Sequence, residues 1–102
     1  MSRIPGADAL DPIHPVAIEL HVDEIWADEA RTHLEQVYNY LDYHFERSGR
    51  CCRARTYLDE PADVTLFGPF KRRGSTDRVE DPAFFEDVSA YLKRRFRNVE
   101  TH

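Results

Sequence analysis

Long apolar runs and cysteine are both scarce in this sequence. The first argues against a membrane-spanning protein, and the second argues against a disulfide-bonded one. No uninterrupted apolar stretch exceeds three residues, whereas a membrane-spanning helix needs about 20. The N-terminal residues lead into no hydrophobic region and so predict no secretory signal. The two cysteines, Cys51 and Cys52, are adjacent, and a disulfide between neighbours is strained. These features predict a cytoplasmic protein with free thiols, no membrane contact and no cofactor.

Glycine is also scarce, at 4 of 102 residues, and the chain contains no internal repeat. Its length suits one domain, since most domains have about 100–150 residues. Hydrophobic residues make up 41% of the chain, which is enough to predict a folded core. Residues 1–13 lack periodicity and contain Pro5 and Gly6. We therefore predict a flexible N-terminal tail over 1–13 and a single α+β domain over 14–102.

Charge is distributed unevenly along the chain. The net charge is −5, with −8 in residues 1–46, +4 in residues 47–78 and −1 in residues 79–102. Domains dedicated to nucleic acids are usually basic, so nucleic acid is not the expected partner. An acidic first half and a basic middle favour complementary surfaces, either within the fold or between two copies.

Alternating apolar and polar residues predict three strands. The first covers residues 16–22 and has one apolar face, made of Val16, Ile18, Leu20 and Val22. Residues 50–58 and 62–67 form a predicted hairpin, with a tight turn at residues 59–61 between them.

Apolar residues spaced by three or four predict two amphipathic helices. The first helix begins after Asp23 and ends at Ser48 and Gly49. Its apolar stripe consists of Ala27, Ala30, Leu34, Val37, Leu41 and Phe45. The second begins at Asp81 and Pro82, and its predicted stripe is Phe85, Val88, Leu92 and Phe96. The predicted common core consists of Leu34, Val37, Leu41, Val64, Leu66, Val88 and Leu92.

The element order is thus predicted to be β-α-β-β-α, an α+β fold. Both helices pack on one face of a three-stranded sheet, with the first strand placed beside the third. In architecture this split β-α-β arrangement resembles a ferredoxin-like fold without its last strand. Such a likeness of architecture implies no function.

The face of this sheet without helices is the first candidate for function. Charged and aromatic side chains alternate on it, and the candidate interface residues are Glu19, His21, Arg53, Arg55, Tyr57 and Phe67. Exposed aromatic rings at Tyr57 and Phe67 are unfavourable in water, which favours a covering partner over a merely solvated face. A second copy of the chain is the expected partner.

The loop over residues 68–78 is the second candidate. It contains the cations Lys71, Arg72, Arg73 and Arg78, which are candidate anion-binding residues. The loop does not match the phosphate loop of nucleotide hydrolases. A flexible, solvated loop is the alternative interpretation.

No catalytic or metal-binding set stands out in the sequence. Glu19, His21 and Cys51 have suitable ligand types for zinc, but no short-spaced ligand pair supports such a site. The leading hypothesis is a non-enzymatic protein-association domain that acts as a homodimer through the open sheet face. The alternative is a small-molecule or phosphate-binding protein, with or without catalysis, that uses the basic loop and a polar flank at His33 and Tyr40.

Overall fold

The computed structural model describes residues 13–27, 29–30 and 34–102. Within these ranges the elements are β1 (Ala17–Trp26), β2 (Leu34–Arg47), β3 (Arg50–Tyr57), β4 (Asp63–Phe70), α1 (Pro82–Arg95) and β5 (Asn98–Thr101). The predicted tail over 1–13 lies outside the described residues except for Ile13, whose side chain packs against the core.

A single mixed sheet contains these strands in the order β1-β2-β3-β4-β5. The first four strands are antiparallel to their neighbours and form a meander. The last strand, β5, runs parallel to β4, because α1 returns the chain to the end of the sheet at which β4 begins. One face of the sheet therefore carries α1, and no helix of the described residues lies on the other face.

The predicted three-stranded sheet with two helices is wrong. Most of the segment predicted as the first helix forms the 14-residue strand β2, while its first residues, 24–26, belong to β1 and residues 28 and 31–33 lie outside the described residues. Residues 98–101 add the strand β5. Spacings of four, as between positions 37, 41 and 45, keep side chains on one face of a helix. The same spacing keeps them on one face of a strand, whose period is two. The placement of the first strand beside the third is also wrong, because β1 pairs with β2.

The turn at Ser48 and Gly49 joins β2 to β3 as a tight hairpin. Arg47 pairs directly with Arg50 across it, and the two central residues have φ angles of 55° and 79°. A two-residue turn with left-handed backbone at both positions matches the twist of the flanking strands. The predicted helix end also required a left-handed glycine, so this glycine alone does not distinguish the two structures.

The predicted second helix is confirmed as α1. The Asp81 carboxylate accepts a hydrogen bond of 3.3 Å from the backbone N–H of Phe84, and Pro82 occupies the first turn. The buried residues of the helix are Phe84, Val88, Tyr91 and Leu92, so its buried face is rotated from the predicted stripe, which contained Phe85 and Phe96. Neither α1 nor any other part of the described chain forms a helix long and apolar enough to cross a membrane.

The core lies between α1 and the central strands of the sheet. On the sheet side it is formed by Phe45, Cys52, Ala54, Val64 and Leu66. The predicted burial of Val64, Leu66, Val88 and Leu92 is confirmed. That of Leu34 and Val37 is wrong because both are exposed, and that of Leu41 is wrong because it is only partly buried.

The exposure of these two residues follows from the unequal lengths of the strands. Pairing between β2 and β3 begins only at Tyr40, while β1 pairs with β2 as far as Leu34. Residues 22–26 and 34–39 therefore extend beyond β3 as a two-stranded hairpin arm. A two-stranded ribbon on its own is at best marginally stable in water, so packing against a partner would stabilise this arm.

Candidate functional site

The sheet face opposite α1, here called the polar face, carries all the predicted interface residues. β1 supplies Glu19 and His21, β3 supplies Arg53, Arg55 and Tyr57, and β4 supplies Phe67. Strand β2 lies between the first two groups and adds Tyr40, Asp42 and His44. The sequence analysis did not place these three on the sheet, because it assigned them to the first helix, where Tyr40 and His33 formed the polar flank; His33 lies outside the described residues. Their alternation with Leu41, Tyr43 and Phe45 was the signal that could have identified them.

A charged pair occupies the centre of the polar face. The Arg55 guanidinium donates two hydrogen bonds to the Asp42 carboxylate, at 2.8 and 3.0 Å, and lies 4.1 Å from the ring centre of Tyr40. These hydrogen bonds raise the pKa of Arg55. Tyr40 donates a hydrogen bond of 3.0 Å to Asp23, so the group is linked back to β1. Such a network holds these side chains in one conformation, so less conformational entropy would be lost when a partner binds to them.

Glu19 forms a second cluster near the end of the sheet. Its carboxylate lies 2.6 Å from His44 Nε2 and 3.3 Å from a guanidinium nitrogen of Arg73. The hydrogen bond with His44 is the main cause that lowers the pKa of Glu19. Arg73 belongs to the predicted basic loop, and its guanidinium lies close to the carboxylates of Glu19 and Glu46 on the sheet. The sequence analysis did not predict these contacts.

The four predicted anion-binding residues have different surroundings. Lys71 and Arg72 are exposed, while Arg73 folds back onto the polar face. The Arg78 guanidinium lies 5.5 Å from the ring centre of Phe70 and donates a hydrogen bond to the backbone oxygen of His102. The four cations therefore do not form one cluster, and among the described residues only Arg73 of the four forms ion pairs with carboxylates of the sheet.

The face of β1 on the helix side is apolar and exposed. We call Val16, Ile18, Leu20 and Val22 the β1 stripe. Their exposed fractions are 53–60%, although the alternation in the sequence predicted a half-buried face. The cause is the position of β1 at the edge of the sheet, since α1 packs on the central strands. Leu41, paired with Leu20 in β2, continues this surface.

The adjacent thiols lie on opposite faces of β3 and have different environments. Cys52 is fully buried in the core, and this burial raises its pKa to about 12. An unfolded thiol titrates near pH 8.5, so the stabilisation by the neutral buried thiol is complete below that pH. It is lost as the pH rises toward 12, because the unfolded state releases its proton first.

We therefore expect the free energy of unfolding to fall between about pH 8.5 and 10. Urea denaturation in the presence of a reducing agent measures this slope. Cys52→Ala should make it clearly shallower, whereas equal slopes for the variant and the wild type would show that Cys52 ionises as easily in the folded state.

Among the described residues, no three His, Cys, Asp or Glu side chains come close enough together to hold a metal ion. Comparison with known proteins adds no relative, because no protein family, curated protein or solved structure matches the chain.

Proposed function

We propose that this protein is an association domain that forms a homodimer through the β1 stripe and the adjoining hairpin arm. The observation that carries the proposal is the exposure of a continuous apolar surface on an edge strand, where Leu20 alone is 60% exposed. Contiguous apolar surface of this kind marks interaction sites in water-exposed proteins. The unpaired backbone groups along an edge strand add a second means of attachment.

A second copy is the occupant that best complements this surface. Two β1 strands related by a two-fold axis at Leu20 would run antiparallel, with Leu20 facing Leu20. Ile18 of one copy would then face Val22 of the other, and Glu19 would face His21. Over residues 18–22, apolar residues meet apolar residues and an acid meets a base, so this part of the strand is self-complementary in this register. Val16, at the end of the stripe, would face Glu24.

The polar face is a weaker candidate for the same role. Many of its charged groups already have partners within the chain, as in the pair of Arg55 with Asp42 and that of Glu19 with His44. The Arg53 guanidinium lies 4.8 Å from the ring centre of Phe67, which reduces the apolar surface that Phe67 offers. A partner there would compete with these contacts, whereas burial of the β1 stripe displaces only water.

A reducing compartment such as the cytoplasm suits this protein. Both cysteines are free and buried, and the fold depends on a core around Cys52 in which a polar oxidised sulfur would be unfavourable.

Sedimentation of the full chain at tens of micromolar tests the proposal. Wild type should be a dimer, and Leu20→Asp should be a folded monomer, because it places a carboxylate at the two-fold axis opposite its own copy. Leu58→Asp is the matched control, since Leu58 is also exposed, at 47%, but lies in the turn after β3. This control should remain dimeric.

A further variant separates the two faces. Arg53→Glu combined with Tyr57→Ala changes the polar face and should leave the dimer intact. If this variant is monomeric while Leu20→Asp is dimeric, the polar face is the interface. A wild-type monomer at these concentrations would contradict self-association through either face.

A further inference from the structure

A cleft of about 240 Å³ lies on the polar face between the sheet and the loop that follows β4. Its polar lining comes from β2, β3 and that loop, and consists of His44, Arg53, Arg73, Ser75 and Thr76. The space is large enough for several water molecules, or for one small molecule in their place. Cations and hydroxyl groups predominate in this lining.

Arg53, which lines this cleft, has a buried hydrogen-bond donor that is not satisfied by the described residues. Its Nε atom is buried and has no hydrogen-bond partner within the described part of the chain. A buried donor without an acceptor is unfavourable by about 1–3 kcal/mol. No carboxylate of the described residues forms an ion pair with Arg53, unlike Arg55 on the same strand. An anion in the cleft would provide both the acceptor and the counter-charge.

The loop provides further donors across from Arg53. The Ser75 hydroxyl oxygen accepts a hydrogen bond of 3.0 Å from the backbone N–H of Asp77, which leaves its proton free to donate. A backbone bond of 3.1 Å from the N–H of Ser75 to the Arg72 oxygen closes this turn. The cleft thus has donors on a strand and on a loop. Donors on two elements can reach oxygens that point in different directions, as those of a tetrahedral phosphate do.

The remaining lining does not oppose an anion. Phe70 and Cys51 complete the cleft, and burial raises the pKa of the Cys51 thiol. That thiol is therefore neutral at physiological pH. The opposing charges lie at the rim, where Arg73 is 3.3 Å from Glu19 and 4.0 Å from Glu46. These two carboxylates compete with any ligand for Arg73.

We propose that this cleft binds the phosphoryl group of a small molecule or inorganic phosphate, with Arg53 as its principal ligand. The planar guanidinium matches two oxygens of a phosphate, and Arg73 joins it by exchanging its rim carboxylates for the ligand. The cleft lies on the opposite sheet face from the β1 stripe, but it shares Glu19, at its rim, with the proposed dimer contact. Leu20→Asp should therefore retain saturable phosphate binding.

Titration of the full chain with inorganic phosphate, followed by two-dimensional NMR in phosphate-free buffer, tests the site. We expect saturable shifts of the Ser75 and Thr76 amides. Arg53→Gln should weaken binding at least about tenfold, because it removes the charge-assisted hydrogen bonds. Arg72→Gln is the matched control, since it removes the same charge from an exposed position that does not line the cleft, and it should bind as wild type does.

Two more variants keep the test decisive if Arg53→Gln is unstable. Arg73→Gln changes an exposed side chain and should also weaken binding, while Glu46→Gln should tighten it about two- to threefold by removing a competing carboxylate. Phenyl phosphate and acetate serve as comparison ligands. Phenyl phosphate binding like phosphate identifies a phosphoryl site, and acetate binding equally well would overturn the choice of phosphate.

Absence of saturation in the wild type, or equal weakening by Arg72→Gln and Arg73→Gln, would overturn the site itself. The second outcome would mean that the loop attracts anions only through its overall charge.

Discussion

Phe84→Ala should lower the free energy of unfolding by about 3–5 kcal/mol, one of the largest stability effects expected in this chain. Phe84 is fully buried, lies in the first turn of α1 and contacts the Arg47 guanidinium, 5.5 Å from its ring centre. Truncation leaves a cavity between the helix and the sheet. The midpoint and slope of urea denaturation measure the loss.

The neighbouring Phe85 is the matched control for this prediction. It is only partly buried against the core, so Phe85→Ala should have less than half the effect of Phe84→Ala. The two changes remove the same atoms from adjacent positions of one helix. If Phe85→Ala were the more damaging, α1 would present the face predicted from the sequence stripe rather than the face observed here.

Asp42→Asn should lower the free energy of unfolding by about 2–3 kcal/mol. The Asp42 side chain is 5% exposed, and that of its partner Arg55 is 26% exposed. The asparagine keeps the shape but removes the counter-charge, so the guanidinium stays partly buried without compensation. Because Arg55 retains some solvent, we place the effect below that of a fully buried pair.

The pair of Arg47 with Asp87 is the control for Asp42→Asn. It has a short distance of 2.7 Å, but its side chains are 38% and 53% exposed, so Asp87→Asn should change stability by less than about 1 kcal/mol. Replacement of both Asp42 and Arg55 by leucine should recover part of the loss, since no charge then remains buried. Equal effects of Asp42→Asn and Asp87→Asn in urea denaturation would contradict the role assigned to the central pair.

The helix α1 and the hairpin of β3 and β4 were predictable from the sequence because their signals are local. Asp81 followed by Pro82 marks a helix start through groups that lie within one turn. The hairpin arises from alternation on both sides of a short turn at residues 59–61. In each case the residues that form the signal are also the residues that make the contact.

Strand β2 was not predictable in the same way. Val37, Leu41 and Phe45 satisfy the helical and the extended period equally, and Gly49 suits the end of a helix as well as a tight hairpin. What favours the strand is pairing with β1 on one side and with β3 on the other. These contacts form between segments, so the residue pattern of β2 alone does not contain them.

The candidate sites show the same limit. Alternation alone groups Arg53, Arg55 and Tyr57 on one face of β3, but it does not reveal that Asp42 and His44 stand beside them. The prediction also treated residues 71–73 as one basic cluster. The return of Arg73 to Glu19, a residue 54 positions earlier in the chain, separates it from Lys71 and Arg72.

Local sequence was sufficient to specify which side chains of β1, β3 and β4 share a face, where α1 begins and where β3 turns into β4. Tertiary structure alone decided which of those faces are covered. The stripe on β1 and the stripe on β4 have similar alternation, yet Leu20 is 60% exposed and Leu66 is fully buried. Periodicity is a property of neighbouring residues, whereas burial depends on where the single described helix packs, and α1 reaches the centre of the sheet but not its β1 edge.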